Sequence, residues 1–176
     1  MPDQINTRRR RLLGTTVAGI SLMELGLSGL AKAQSNGTPS NANTATRVAS
    51  FDTIRQVNIG TLSMGYAEAG PQNGPVVILL HGWPYDIYSF AQVTPLLAAA
   101  GYRVIVPYLR GYGSTRFLSA DTPRNGQQAV VAVDIIALMD ALGIDKATFG
   151  GFDWGARTVN IIAALWPQRC QAMVSV

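Results

Sequence analysis

Three short segments carry the side chains best suited to chemistry. Gly151-Phe152-Asp153-Trp154-Gly155 lies between Ala147-Thr148-Phe149, which reads as a strand, and an Ala/Ile-rich stretch that reads as a helix. Flanking glycines let a strand-to-helix turn bring its backbone close to its neighbours and leave one side chain standing above the sheet. That side chain is a carboxylate, which at neutral pH is ionised without the help of a base. It could attack an electrophilic sp³ carbon, such as that of an epoxide or alkyl halide, and form an ester on itself. The alternative role of Asp153 is an ordinary cap on the following helix. His81-Gly82-Trp83-Pro84 follows the apolar run Pro75-Val76-Val77-Ile78-Leu79-Leu80, and its plainest reading is a turn. Arg110-Gly111-Tyr112-Gly113-Ser114 has the glycines and the arginine of a rigid loop beside a site.

The elements around these segments alternate. Residues 51–59 and 61–69 read as two strands about Gly60, and Pro71-Gln72-Asn73-Gly74 as a turn. Residues 75–80 form a continuous apolar run of the kind buried on both faces of a parallel sheet. Residues 88–100 read as a helix closed by Gly101, 102–107 as a strand, 125–142 as a helix closed by Gly143, 146–150 as a strand, 155–166 as a helix stopped by Pro167, and 171–176 as a strand. Alternation of this kind predicts βαβ units in an α/β fold, a mostly parallel sheet flanked by helices. Ligands of such sheets bind beyond the carboxyl ends of the strands. The loops after Leu80, Pro107 and Gly150 all leave that edge.

With the three segments in this order, residues 51–176 resemble the α/β-hydrolase superfamily, and within it the epoxide-hydrolase and haloalkane-dehalogenase branch. The resemblance implies that Asp153 is the nucleophile and that the backbone N–H groups of Trp83 and Trp154 form the oxyanion hole. It implies a substrate pocket bordered by His81, Gly82 and Pro84, and a small-molecule substrate, an epoxide or an organohalide. His-Gly-Trp-Pro is more similar to the epoxide-hydrolase form of the oxyanion loop. Two positions depart from the pattern: Phe152 stands where relatives often have His, and Tyr108 where they often have Asp. The family activates water for ester hydrolysis with a late histidine oriented by an acid. His81 is the only histidine here, and its place in the resemblance is structural. The expectation is therefore a chain truncated before the cap and the last strands, able to form the ester but without the base that releases it; a catalytically inactive remnant is the alternative of another class.

Composition narrows the rest. The net charge is +4, but Arg8, Arg9, Arg10, Arg11 and Lys32 fall in the first 33 residues, opposed only by Asp3 and Glu24. The remainder is near neutral, which argues against a nucleic-acid footprint. The basic block, the moderately apolar stretch 12–30 and Ala31-Lys32-Ala33 have the three-part layout of an export signal over residues 1–33. Arg9-Arg10-x-Leu12-Leu13 resembles the twin-arginine motif, which implies engagement of export machinery, cleavage after Ala33 and a periplasmic or secreted product. Glu24 and four glycines make 12–30 a poor membrane anchor. Residues 34–50 are polar and aperiodic and read as a linker. One cysteine, Cys170, permits no internal disulfide and reads as a small core residue; with one histidine beside it, no zinc site or other cofactor is expected.

Overall fold

The computed structural model describes residues 51–176. The expected signal at 1–33 and linker at 34–50 lie outside the described residues. β1 (Ile54–Ile59) and β2 (Leu62–Ala69) form an antiparallel hairpin, with Ile59 opposite Leu62 across a turn in which Gly60 takes φ 48°. β2 then pairs antiparallel with β4 (Arg103–Pro107). From there the sheet is parallel: β4 with β3 (Val76–Leu80), β3 with β6 (Ala147–Gly151), and β6 with β7 (Cys170–Ser175). The strand order is β1-β2-β4-β3-β6-β7, and the two-residue β5 (Arg116–Phe117) pairs with β2 at Leu62 and Ser63. The expected α/β architecture is thus observed, a mostly parallel sheet with helices on both faces.

β3 shows why its residues read as an unbroken apolar run. Ile78 and Leu80 face one side, against Val131, Ile135 and Leu138 of α2 (Gln128–Ala141) and Val159 and Ile162 of α3 (Trp154–Leu165). Val77 and Leu79 face the other, with Val104, Val106 and Ile87. Each fully buried aliphatic side chain contributes about 1.5–3 kcal/mol, so the two cores pin the register of β3 from both sides. Among the described residues no helix is long and apolar enough to cross a membrane.

The helix boundaries differ from expectation in two places. Residues 88–100 are not one helix but a 3-10 turn (Ile87–Phe90) and α1 (Val93–Ala99). Pro95 lacks an N–H, and its ring clashes with the carbonyl four residues back, so the helix cannot continue upstream through Ala91. α2 begins at Gln128 rather than near Asn125, because the Asn125 side chain accepts from Gln127 N–H in a local turn that holds the chain off the helix. Cys170 is half-buried rather than a core residue, and burial pushes its thiol pKa up. β7 is the exposed edge: Met173 and Val174 are 44% and 64% exposed.

α3 and β3 approach each other closely at Gly155. A Cβ built on Gly155 would overlap the Leu80 carbonyl oxygen. In an ordinary helix Gly→Ala stabilises by about 0.5–1 kcal/mol. At Gly155 the sign should invert: Gly155→Ala is expected to cost about 2 kcal/mol or more through overpacking against backbone, measured as a lower midpoint in urea unfolding.

Candidate active site

The three loops meet at the carboxyl edge of the sheet. β6 ends at Gly151 and α3 begins at Trp154, so the chain reverses direction in two residues. Asp153 takes up the reversal at φ 53°, ψ −115°, and is the one non-glycine residue of positive φ among the described residues. Such backbone costs about 1–3 kcal/mol and persists only where the surroundings impose it. Here Phe152 N–H bonds to Leu80 O at 3.3 Å, Asp153 N–H to Val176 O at 3.1 Å and Gly155 N–H to Phe152 O at 2.9 Å. The Asp153 side chain makes no capping bond to its own helix. It is exposed and reaches across to the loop after β3, where Trp83 N–H donates to Oδ1 at 2.9 Å. A Cβ on Gly82 would collide with the Asp153 side chain, so that glycine is what admits the carboxylate. The arrangement is inconsistent with the simple capping role.

Two backbone amides dominate the electrostatics of this carboxylate. The Trp83 N–H, then the Trp154 N–H at the start of α3, hold Asp153 below the ordinary aspartate pKa, with the Arg157 guanidinium adding to them. The side chain therefore stays ionised throughout the neutral range.

His81 does not line the pocket. It is fully buried with both ring nitrogens engaged. Leu109 N–H donates to Nε2 at 3.2 Å, which places the ring proton on Nδ1, facing the Gly82 carbonyl at 3.2 Å. Tyr112 packs edge-on to the ring at 4.7 Å between centroids. Burial, the largest effect, pushes the His81 pKa down. A neutral, sealed imidazole joins the loop after β3 to the Leu109–Arg110 loop and has no free nitrogen with which to activate water. Pro84, joined to Trp83 by a cis peptide bond, is exposed and outside the cavity beside Asp153. Of the expected pocket residues only Gly82 borders that cavity, together with Trp83 and Trp154. Phe152 stacks against Phe90 and Tyr85, with centroids 5.7 Å and 6.2 Å away.

An ion pair beneath the site was not legible in the sequence. Arg110 donates through Nε and Nη2 to the two carboxylate oxygens of Asp134, each at 2.6 Å, and through Nη1 to the Asn125 carbonyl. Its guanidinium also lies 5.8 Å from the Phe117 ring centroid. The arginine stood out as part of a rigid loop, but its partner sits 24 residues on, in the middle of a mostly apolar helix. An acid on the buried face of such a helix is the one available signal.

Two outcomes test this geometry. Asp153→Gly and Asp153→Ala both remove the carboxylate and differ only in Cβ and backbone freedom. The Gly variant should be the more stable by about 1 kcal/mol, the reverse of the usual order, because only glycine relaxes at this φ; chemical denaturation of the pair gives the sign. For His81, the unfolded chain takes up a proton below about pH 6.5 that the folded chain does not, so stability falls as pH drops through that value. The stability difference between wild type and His81→Gln should therefore shrink from about pH 7 to pH 5, and an unchanged difference would mean that His81 titrates normally in the fold.

Comparison with known proteins bears on the fold and the family. A family model described as the alpha/beta hydrolase fold matches residues 75–176. The chain is 36% identical over 125 residues to epoxide hydrolase 3 of Siraitia grosvenorii, covering 71% of this chain and 39% of that protein. It is also 36% identical over 118 residues to epoxide hydrolase B of Mycobacterium tuberculosis, covering 66% and 33%. Among solved structures, a candidate epoxide hydrolase from Klebsiella pneumoniae superposes with a TM-score of 0.71 at 64% identity, over 73% of this chain and 43% of that one. Epoxide hydrolase A of Mycobacterium thermoresistibile superposes at 0.63 with 35% identity, over 69% and 37%. The chain thus spans well under half the length of each of these relatives. The family match over residues 75–176, which takes in every βαβ unit of the sheet, gives one conclusion: the chain belongs to the α/β-hydrolase fold family.

Proposed function

We propose that this chain carries the nucleophilic half of an epoxide hydrolase and that Asp153 forms a covalent ester with the substrate. The observation that carries the reading is the Trp83 N–H bond to Asp153 Oδ1. With Oδ1 held by the amide, Oδ2 is the oxygen free to attack. It bonds to a ring carbon, the ring C–O bond breaks, and the electron pair goes to the epoxide oxygen, which takes a proton from water. The ester keeps Oδ1 as its carbonyl oxygen, already bonded to the Trp83 amide, with the Trp154 amide at the start of α3 next to the same carboxyl group. When water later attacks that carbonyl, the same two amides face the developing oxyanion, at about 3–4 kcal/mol per donor in comparable sites. The names of the relatives support epoxide over halide chemistry. Ester hydrolysis needs a base, and within these 176 residues the one imidazole, His81, is sealed. Release of the diol therefore depends on groups other than those described.

Incubation with an epoxide followed by intact-mass and peptide mapping tests the proposal. The expected result is a stable adduct of the intact epoxide on Asp153, absent in Asp153→Asn. Because two amides depress the Asp153 pKa, the rate of adduct formation should stay flat from about pH 7 to pH 5 and decline only below the ordinary aspartate range near pH 4. Soluble, cooperatively folded protein without an adduct would favour the inactive remnant, and halide release from an organohalide would favour the dehalogenase.

We further infer that residues 1–33 act as a twin-arginine export signal and that the product is periplasmic or secreted. The support is the order of basic block, apolar stretch and small-x-small site. The processed chain is expected to begin at Gln34, read by N-terminal sequencing of the periplasmic fraction, and Arg9→Lys with Arg10→Lys should leave it unprocessed.

A further inference from the structure

The segment between β5 and α2 contains Asn125-Gly126, one of three Asn-Gly pairs in the sequence. Asn36-Gly37 lies outside the described residues, and Asn73-Gly74 closes the turn before β3. Such a pair can react with itself: the glycine nitrogen attacks the asparagine side-chain carbonyl, and no Cβ on the glycine obstructs the approach. The fold treats the two described pairs in opposite ways. Gly74 N–H is tied to the Pro71 carbonyl at 3.0 Å, and a Cβ on Gly74 would collide with the Gly101 carbonyl. That nitrogen is engaged and its surroundings are tight. Gly126 N–H donates to no backbone carbonyl among the described residues. The residue is exposed, and a Cβ on it would meet nothing within 4 Å.

Both reacting groups of the second pair are also activated. Asn125 N–H bonds to the Pro123 carbonyl at 2.9 Å, which holds the residue in a tight turn. Its side chain folds back along the chain, and Oδ1 accepts from Gln127 N–H at 2.9 Å. That bond polarises the carbonyl under attack and faces the negative charge that develops on Oδ1. The Asn125 main-chain carbonyl accepts from Arg110 Nη1, a charge-assisted bond. It draws electron density out of the Asn125–Gly126 peptide group and makes the Gly126 N–H more acidic. The attacking species is the deprotonated amide, so the guanidinium stabilises the charge that forms there.

We propose that Asn125 is a site of spontaneous deamidation promoted by the fold, through the Gln127 amide and the Arg110 guanidinium, while Asn73 is protected. Solvent hydroxide takes the Gly126 amide proton, and the nitrogen bonds to Asn125 Cγ. The bond from Cγ to the side-chain nitrogen breaks, and ammonia leaves with a proton from water. Water then opens the cyclic imide. Opening at Cγ leaves aspartate; opening at the main-chain carbon leaves isoaspartate, with an extra methylene in the backbone. Either product carries a new carboxylate on the residue that Arg110 holds, and Gly126 borders the cavity beside Asp153. The modification therefore changes charge, and in the isoaspartate form also the path of the main chain, at the rim of the candidate active site.

The test holds the full chain in mildly alkaline buffer, either folded or unfolded in guanidinium chloride. The peptides bearing Asn73 and Asn125 are then mapped for amide-to-acid conversion and for isoaspartate. In denaturant the two pairs should react at similar rates. In the folded chain Asn125 should react at least about tenfold faster than Asn73, the effect of about one hydrogen bond on a barrier. It should also react no more slowly than in denaturant.

Gln127→Pro isolates one contact. Gln127 has φ −60°, which proline adopts, and its N–H donates to Asn125 Oδ1 rather than within the helix. The variant should slow Asn125 by about fivefold and leave Asn73 unchanged. Gln127→Ala keeps the N–H and should match wild type. The double variant Arg110→Gln with Asp134→Asn removes the guanidinium without orphaning its carboxylate, and should slow Asn125 by a similar factor. A cooperative melt establishes that each variant is folded. A folded variant that reacts at the wild-type rate removes the role of the group it lacks. If Asn125 in the folded wild type is slower than in denaturant, or no faster than Asn73, the fold protects the site and the proposal is overturned.

Discussion

The first turn of α3 lies so close to the end of β3 that only a hydrogen fits on Gly155 against the Leu80 carbonyl. Much of the site follows from that contact. Gly151 is equally confined, since a Cβ there would meet the backbone of Gly155. With both glycines pressed together, the chain must turn from strand to helix within Phe152 and Asp153, and Asp153 absorbs the turn at positive φ. The strain is local and the support is not: amide bonds tie the elbow to β3 on one side and to the end of β7 on the other. A carboxylate held this way has lost much of its conformational freedom, because the backbone beneath it is fixed by its neighbours.

The loop after β3 is held from behind in a complementary way. His81 spends one nitrogen on the Leu109 amide and turns the other towards the Gly82 carbonyl, so two loops that leave different strands are joined into one wall. Below that wall the Arg110–Asp134 pair ties the second loop to α2, and through Asn125 to the segment before it. The pair is partly buried and charge-assisted at both ends, so loss of either partner would leave an uncompensated charge. The same pair leaves the cavity beside Asp153 walled mainly by apolar side chains. Structural support and electrostatic character thus come from one interaction.

Most of the strand–helix alternation could be read from local pattern. Strand β3 announced itself because burial on both faces demands an unbroken apolar run, and the turn at Gly60 because its φ favours glycine. The split of the helix near Pro95 and the late start of α2 depended on single residues acting on backbone bonds, Pro95 by a missing donor and Asn125 by a competing acceptor. β5 was invisible because two residues carry no periodicity. The site divided the same way. Motif and spacing singled out Asp153, Trp83 and Trp154, which the fold brings side by side, while His81 and Pro84 do not border the cavity that Gly82, Trp83 and Trp154 line.

The residue types were determined by the sequence alone: a carboxylate between glycines, tryptophans at the two loop positions whose amides converge, and one histidine in the chain. Those are questions of chemistry and of near-neighbour geometry, which short segments can encode. The tertiary structure decided which groups are free to act. It brought Asp153 to the Trp83 amide, 70 residues away in sequence, sealed His81, and paired Arg110 with an acid 24 residues away. Each of these depends on how strands β3, β4 and β6 lie side by side, and contacts between distant segments leave no mark in the spacing of either one.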